Sequence, residues 1–184
     1  MGIVTFRELI STEAGRVLEI DRAEEINGVY VLADGELVLR SERISVPGWN
    51  PATAPDYPRR IREVLSSGGV AFGAYDGTHL VGIGVLDVLP VGGDPAVMAL
   101  DLLHVGAGHR GRGIGKQLTA LIVERARALG ATALYISATP TWNTVDAYLR
   151  MGAWVLASPD PEKFALEPED IHLLMPIGND GDAP

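Results

Sequence analysis

Glycines and cationic side chains alternate over one short stretch near the middle of the chain. The run consists of Arg110, Gly111, Arg112, Gly113, Ile114, Gly115 and Lys116. It lies between a predicted strand over residues 96–105 and a predicted amphipathic helix over residues 114–129. The first N–H groups of a helix have no intrahelical partners, and the helix dipole favours negative charge there. Because glycines let the backbone approach oxygen atoms closely, the pattern predicts a binding site for a phosphate group.

Two common phosphate-binding motifs match this stretch only in part. Residues 106–111 have the glycine spacing of a dinucleotide-binding turn, but residues 134–139 lack the acidic residue that would bind the ribose hydroxyl. Residues 111–117 resemble a nucleotide-binding P-loop, but the spacing between the glycines is one residue too short. Gln117 also stands where a P-loop has the Ser or Thr that binds magnesium. Both a nicotinamide-dependent enzyme and a P-loop protein are therefore disfavoured.

A third pattern fits these residues and the segment that follows them. Arg110-x-x-Gly113-x-Gly115 is similar to the Q/R-x-x-G-x-G/A signature of the GNAT superfamily of N-acetyltransferases. Residues 141–153 resemble the fourth helix of that family, in which a tyrosine, here Tyr148, stands four residues before a glycine. The resemblance covers about residues 97–155. It implies an acyl-CoA-dependent N-acyltransferase with acetyl-CoA as the co-substrate.

The resemblance also implies a set of cofactor-binding residues. In that family acetyl-CoA lies between the strand before the glycine-rich turn and the strand after the helix, with its pyrophosphate on the turn. Its pantetheine arm pairs with backbone groups of the first strand, here near Leu103 and Val105. The family often has Asn seven residues before its tyrosine, but Thr141 stands there in this chain and Asn143 is nearby. Either side chain can bind the pantetheine arm, so both are candidates.

Tyr148 occupies the position of the family's general acid, which protonates the departing CoA thiolate. The alternative is a helix tyrosine whose ring only packs against the sheet. The chain contains no cysteine, which excludes a covalent cysteine intermediate. We therefore expect direct attack by an amine within a ternary complex.

Two carboxylates are candidates for the general base, which is needed because a free alkylammonium has a pKa of about 10.4. Asp101 lies on the strand before the turn, with the same predicted side-chain direction as Leu103. Glu24 belongs to an acidic cluster with Asp21 and Glu25, and this cluster favours a cationic acceptor. Each carboxylate is alternatively a solvated surface group.

The histidines show no metal-ligand spacing with one another, so no metal is expected. His104 could act as a base through a water molecule or have a structural role. Trp49, in a proline-rich segment, could form a wall of the acceptor pocket or anchor its loop by packing.

The sequence therefore predicts an N-acetyltransferase that moves an acetyl group from acetyl-CoA to an amine of a small molecule or peptide. The alternative is a non-catalytic acyl-CoA-binding or sensing domain, which would keep the cofactor site without a productive acceptor site.

Hydrophobic periodicity and turn residues predict the surrounding elements. Strands are expected over residues 5–9, 29–32, 36–39, 70–74, 79–89, 96–105, 133–138, 153–157 and 171–177, and helices over residues 12–20, 59–66, 114–129 and 143–151. Ser11 is expected to cap the first helix, and residues 46–58 are expected to form a loop. The fold class is α/β (α+β): a mixed, mostly antiparallel central sheet with helices on both faces. One domain is expected over residues 1–177, with a disordered tail over residues 178–184.

Composition sets limits on the partners and the compartment. The chain has 184 residues and a formal net charge of -9, which disfavours nucleic acid because phosphate binding needs a basic surface. No apolar run reaches the roughly 20 residues that span a bilayer, so no membrane association is expected. The first residues lack a secretory signal, and a chain without cysteine is consistent with the cytoplasm. The sequence leaves a homodimer open.

Overall fold

The computed structural model describes residues 2–178 of the chain. Its strands are β1 (Val4–Glu8), β2 (Glu24–Ile26), β3 (Val29–Ala33), β4 (Glu36–Arg40), β5 (Ile44–Val46), β6 (Val70–Asp76), β7 (His79–Asp87), β8 (Val97–Val105), β9 (Ala133–Ala138), β10 (Trp154–Val155) and β11 (Ile171–Pro176). Its α-helices are α1 (Asp56–Ser66), α2 (Ile114–Ala128), α3 (Trp142–Arg150) and α4 (Pro161–Leu166). Two 3-10 helices span Ser11–Glu19 and Ala107–His109.

Seven strands form the main sheet in the order β1-β6-β7-β8-β9-β11-β10. β8 and β9 are parallel, whereas the other neighbouring pairs of this sheet are antiparallel. The parallel pair is joined through α2, because parallel neighbours need a crossover connection. Strands β2 and β5 form a separate two-stranded sheet, and so do β3 and β4.

Helices cover both faces of the main sheet. Leu118 of α2 and Val145 of α3 are fully buried in one apolar cluster on one face. Val17 of the longer 3-10 helix and Ile61 of α1 are fully buried in a second cluster on the opposite face. The predicted fold class, a mostly antiparallel sheet between helices, is confirmed.

The parallel pair separates soon after it begins. β8 pairs with β9 only from Val97 to Ala99, opposite Ala133 to Tyr135. Beyond Ala99, β8 continues along β7 and β9 continues along β11. The two strands therefore leave a V-shaped gap between them that opens towards their carboxyl ends.

A β-bulge at Asp101 lies where this gap begins. Two consecutive residues of β7 lie opposite Leu102 and Leu100, so Asp101 is an extra residue on β8. Leu100 belongs to the cluster under α2, whereas Leu102 belongs to the cluster under α1. Residues two apart in a regular strand share a face, so the bulge reverses the side-chain direction of β8.

The hairpins agree with the predictions. β3 and β4 turn at Asp34 and Gly35, whose φ angles of 51° and 84° are both positive, as a tight hairpin turn requires. β6 and β7 pair across a turn that contains Gly77, also at positive φ. Aspartate followed by glycine therefore identified both turns from local backbone preferences alone.

Several local predictions differ from the structure. Ser11 is not a helix cap, because the segment is a 3-10 helix that begins at Ser11 and has no side-chain cap. α1 begins at Asp56, inside the predicted loop, since Pro58 lies in the first turn where no backbone N–H is needed. Strands β2 and β5 and helix α4 were not predicted, because each is short.

The predicted tail falls almost entirely outside the described residues. Gly178, its first residue, accepts a hydrogen bond from Arg127 Nη2 at 3.0 Å. Within residues 2–178, no helix combines the length and the apolar character needed to cross a membrane.

Candidate active site

One edge of β8 has backbone groups that do not bond within the sheet. Gly106 N–H donates to Val81 O at 2.8 Å, and in antiparallel pairs the bonded residues alternate along the strand. The backbone groups of His104 therefore face β7, whereas those of Leu103 and Val105 face the gap beside β9. Such a free edge can bind an extended chain through main-chain hydrogen bonds.

The glycine-rich turn follows this edge directly. Gly111 and Gly113 have φ angles of 72° and 79°, in the left-handed region that favours glycine. A Cβ atom at either position would meet no atom within 4 Å. The turn therefore presents open space in front of its backbone.

The amino terminus of α2 supplies hydrogen-bond donors to that space. The first helical bond after the turn runs from Gln117 N–H to Gly113 O at 3.0 Å. The N–H groups of Ile114, Gly115 and Lys116 precede it, so they have no intrahelical acceptor. Gly113 is the N-cap residue and forms no side-chain cap, which leaves these donors for an anion.

The three cations predicted at the turn have different surroundings. Arg110 folds back, with Nε donating to Val105 O at 3.1 Å and Nη1 donating to Ala23 O at 3.1 Å. Arg112 and Lys116 are exposed. Arg110 therefore braces the turn, and the positive charge available to a phosphate comes from Arg112 and Lys116.

Thr141 and Asn143, the two candidates for the pantetheine arm, are not equally available. Thr141 is buried as the N-cap of α3, where its Oγ1 accepts from Thr144 N–H at 3.4 Å and donates to Thr144 Oγ1 at 2.9 Å. Asn143 is exposed. The hydroxyl of Thr141 is thus engaged in capping, and Asn143 has the more accessible side chain.

Tyr148 lies on α3 and is only 6% exposed. It belongs to the same apolar cluster as Ile136 and Ala138 of β9, the strand that borders the gap. Burial raises the pKa of the Tyr148 phenol above its usual value. The hydroxyl therefore stays protonated at neutral pH, as a proton donor must.

Asp101 is held by a cation on α1. Its carboxylate accepts hydrogen bonds from Arg60 Nε at 2.9 Å and Arg60 Nη2 at 2.8 Å, and its side chain is 6% exposed. Arg60 Nη1 also donates to Glu167 Oε1 at 3.1 Å. The predicted common direction with Leu103 is wrong, because the bulge turns Asp101 towards α1 while Leu103 packs against the opposite cluster.

The acidic cluster near the amino terminus does not act as one group. Glu24 lies 3.5 Å from Arg110 Nη2, which places it beside the glycine-rich turn. Glu25, its neighbour on β2, accepts from the Ser45 hydroxyl, and Asp21 accepts from its own chain at Ala23 N–H. Each of the three carboxylates therefore has a different hydrogen-bonding or ion-pair partner.

His104 lies among aromatic rings on the α1 side. Its ring centroid is 5.8 Å from that of Trp49 and 5.8 Å from that of Tyr57. Its Nε2 atom is buried without a hydrogen-bond partner among the described residues. Burial, reinforced by Arg22, lowers the pKa of His104 to about 3, so the ring is neutral at physiological pH.

A cavity of about 420 Å³ lies where β8 and β9 separate, on the side of α1. Ala99 and Asp101 of β8, Tyr135 and Ser137 of β9, and Arg60 of α1 contribute to its lining. α4 closes another side of it. The cavity and Tyr148 thus lie on the two sides of the sheet at the same gap.

A family model described as the acetyltransferase (GNAT) family matches residues 36–153, more than half of the chain. This protein belongs to the GNAT acetyltransferase family. No curated protein is similar enough in sequence to count as a relative.

The fold is also similar to solved structures of acetyltransferases. A nourseothricin acetyltransferase is 20% identical with a TM-score of 0.67, and the match covers 95% of this chain and 99% of that one. A Bacillus anthracis protein described as a streptothricin acetyltransferase, solved with acetyl coenzyme A, is 14% identical with a TM-score of 0.70, covering 95% and 98%. The ribosomal-protein-S18-alanine N-acetyltransferase of Escherichia coli is 13% identical with a TM-score of 0.62, covering 99% of both chains.

GNAT enzymes use acetyl-CoA, and the residues of this GNAT chain fit such a molecule. The free edge of β8 can pair with an amide-containing arm, and the open turn can receive a pyrophosphate. Both features follow from the backbone, so they do not require specific side chains along β8.

Several residues near the cavity were not identified from the sequence. Arg60 binds Asp101 from 41 positions away, and Tyr135 contacts His172 from 37 positions away. No local pattern indicates such contacts. Alternation along β9 could have placed Tyr135 and Ser137 together on the face opposite the α2 cluster.

Proposed function

We propose that this protein transfers an acetyl group from acetyl-CoA to an amine of a small molecule or peptide, by direct attack within a ternary complex. The observation that carries the proposal is the gap between β8 and β9. One free strand edge leads along this gap from the cavity to an anion-binding turn. An extended thioester bound there would place its acyl end at the cavity and its phosphates at the turn.

The backbone N–H groups at the start of α2 would hold the pyrophosphate, with Arg112 and Lys116 adding positive charge. Leu103 would pair with the pantetheine arm through its backbone groups and Val105 through its N–H, since Val105 O already accepts from Arg110 Nε. Asn143 would add a side-chain hydrogen bond, since Thr141 is engaged in capping α3. Arg110 would act indirectly, by bracing the turn.

The chemistry requires charge stabilisation at two atoms. A backbone N–H of the β8 edge would stabilise the thioester oxygen as it becomes an oxyanion, an effect worth about 3 kcal/mol per donor. The Tyr148 hydroxyl would protonate the leaving thiolate, whose conjugate thiol has a pKa of roughly 8.5. Direct transfer is consistent with the absence of cysteine from the chain, because no cysteine can form a covalent acyl intermediate.

The cavity on the α1 side is the candidate acceptor pocket. Its lining includes Glu63, Asp87, Asp101 and Glu167 against Arg59, Arg60 and Lys163. Carboxylates outnumber cations there by one, which supports the expected preference for a cationic acceptor. The cytoplasmic location and the possible homodimer stay predictions.

A non-catalytic acyl-CoA-binding domain is the second candidate. It is favoured by one observation: Asp101 and Glu24, the carboxylates expected to act as bases, are both bound to arginines. Both oxygens of Asp101 already accept hydrogen bonds from Arg60, so an acceptor amine would have to displace the guanidinium to reach them.

Release of free CoA thiol separates the two candidates. The panel contains spermidine, lysine, ethanolamine, glutamate and a short peptide with a free amino terminus, each with acetyl-CoA. We expect thiol release and a matching acetylated amine for at least one of these compounds. Binding of acetyl-CoA without amine-dependent thiol release from any of them would favour the binding domain.

A further inference from the structure

A buried tyrosine and a buried histidine form a hydrogen-bonded pair beside the cavity. Tyr135 Oη lies 2.8 Å from His172 Nδ1. Tyr135 is 3% exposed and His172 is 5% exposed. The side chain of His172 is one of few polar side chains buried in the described part of the chain, so its position needs a physical explanation.

The surroundings fix which ring nitrogen of His172 carries the proton. Nε2 lies 3.1 Å from the backbone carbonyl oxygen of Glu167, which can only accept a hydrogen bond. In the neutral ring Nε2 therefore carries the hydrogen and Nδ1 has the lone pair. The Tyr135 hydroxyl must then donate to Nδ1, with Ser137 Oγ a more distant second neighbour of Nδ1 at 3.4 Å.

Tyr135 stands at the point where β8 and β9 separate. It lies opposite Ala99, in the last residue pair that joins the two strands. Tyr135 and Ser137 line the cavity of about 420 Å³, whereas Leu134 and Ile136 pack on the opposite face of β9. If the proposed function holds, an amine in this cavity and a thioester in the gap meet beside Tyr135.

We propose that Tyr135 and His172 form a proton relay that removes a proton from the acceptor amine during acetyl transfer. The amine nitrogen forms a bond to the thioester carbonyl carbon, and the bond from that carbon to sulfur breaks. The nitrogen gives one proton to Tyr135 Oη, while Tyr135 gives its own proton to His172 Nδ1. The leaving thiolate takes a proton from Tyr148. Tyr135 ends neutral because it gains one proton and gives one away, and exchange with solvent returns a proton to Tyr148 and removes one from His172.

The charges around the pair suit this role. Burial raises the pKa of Tyr135 to about 12 and lowers the pKa of His172, so both groups start neutral. Glu167 and Asp160 act against burial on His172, favouring the imidazolium that forms. The cations Arg60 and Lys163 also line the cavity, and Arg60 Nη1 donates to Glu167 Oε1 at 3.1 Å. The relay also offers a proton acceptor beside the gap, where both oxygens of Asp101 are occupied by Arg60.

Three variants test the relay: Tyr135→Phe, His172→Gln and the control Tyr75→Phe. Tyr75 is also 3% exposed in the main sheet, but its hydroxyl is buried without a partner among the described residues. Glutamine can accept a hydrogen bond from Tyr135 but cannot take its proton. With the best amine of the panel, we expect the first two variants to lose about 10²–10⁴-fold in kcat/KM at unchanged acetyl-CoA affinity. The control should match the wild type.

The pH profile separates a proton relay from a structural contact. After division by the fraction of neutral amine, wild-type kcat/KM should fall at acid pH, where His172 takes a proton and can no longer accept one; because burial lowers the pKa of His172, this fall should lie below the ordinary range of a histidine. His172→Gln should lack this acid limb. The relay is wrong if Tyr135→Phe and His172→Gln both keep the acid limb and both have the same kcat/KM as the control Tyr75→Phe.

A second measurement needs no variant. Nitrogen-15 NMR of the wild-type protein should show His172 neutral at pH 7 with its proton on Nε2, and the opposite tautomer or an imidazolium would overturn the relay. Failure of the proposed function looks different, because the wild type itself would then release no thiol with any amine.

Discussion

Replacing Gly113 by aspartate or asparagine tests the anion-binding turn through charge alone. The two side chains have nearly the same shape, and both residue types tolerate positive φ better than most. At Gly113, φ is 79° and a Cβ would meet no atom within 4 Å. Neither variant should therefore clash, and each should lose at most about 1–2 kcal/mol through the left-handed backbone.

These energies convert into melting temperatures. For a chain of this length, 1 kcal/mol corresponds to about 2–4 °C, so the apo variants should melt about 2–8 °C below the wild type. The aspartate variant should be the more stable of the two, since a carboxylate at a helix amino terminus gains about 0.3–1 kcal/mol. Acetyl-CoA at 100 times its Kd should stabilise the wild type by about 2.7 kcal/mol, or about 5–10 °C.

Acetyl-CoA should reverse the order of the two variants. The asparagine side chain carries no charge, so Gly113→Asn should keep part of the acetyl-CoA shift, whereas Gly113→Asp should lose it because its carboxylate repels the pyrophosphate. Differential scanning fluorimetry with acetyl-CoA, and with NADH as the control ligand, measures both effects. A full acetyl-CoA shift in Gly113→Asp, or a larger shift with NADH than with acetyl-CoA in the wild type, would refute the assignment of the turn.

Three further predictions concern the remaining residues of the site. Tyr148→Phe should lower kcat by about 10²-fold, the lower end of general-acid effects, because burial raises the pKa of Tyr148 and makes it a weaker acid. If kcat falls at alkaline pH because Tyr148 ionises, the fall should lie above about pH 10. An unchanged kcat of Tyr148→Phe in thiol-release assays would show that Tyr148 only packs against the sheet. Asn143→Ala should raise the KM for acetyl-CoA several-fold with little change in melting temperature. Thr141→Ala should lower the melting temperature, because it removes a helix cap worth about 1 kcal/mol. The reverse pattern would indicate that Thr141, and not Asn143, binds the pantetheine arm. In the amine panel, spermidine and lysine should give higher kcat/KM than glutamate, and a preference for glutamate would contradict a cationic acceptor pocket.

The glycine-rich turn and helix α2 could be predicted because their signals are local. Glycines at 111 and 113 adopt the positive φ angles that their residue type indicates, and the 3.6-residue periodicity of α2 is visible in the sequence. The free edge of β8 depends on backbone geometry, so it tolerates apolar side chains such as Leu103. Local sequence and local structure agree here.

The surroundings of the cavity could not be predicted because their contacts join distant parts of the chain. Glu24 is a plausible free base in the sequence, but the fold places it beside Arg110. His172 and Tyr135 meet only because β11 pairs antiparallel with β9 in a register that sets His172 opposite Ser137. Two helices and a short strand lie between β9 and β11 along the chain, and the register of such a pair is not encoded in either strand alone.

The bulge at Asp101 links the two sides. Leucines stand at positions 100, 102 and 103. In a regular strand Leu100 and Leu102 would share one face, and Asp101 and Leu103 would share the other. Because of the extra residue, Leu100 and Leu103 pack under α2 and Leu102 packs under α1, while Asp101 lies nearly buried on the α1 side. A nearly buried carboxylate is costly without a charged hydrogen-bond partner, and Arg60 provides that partner. The same ion pair occupies both oxygens of Asp101, which agrees with the proposal that the proton acceptor comes from β9 and from β11 packed against it.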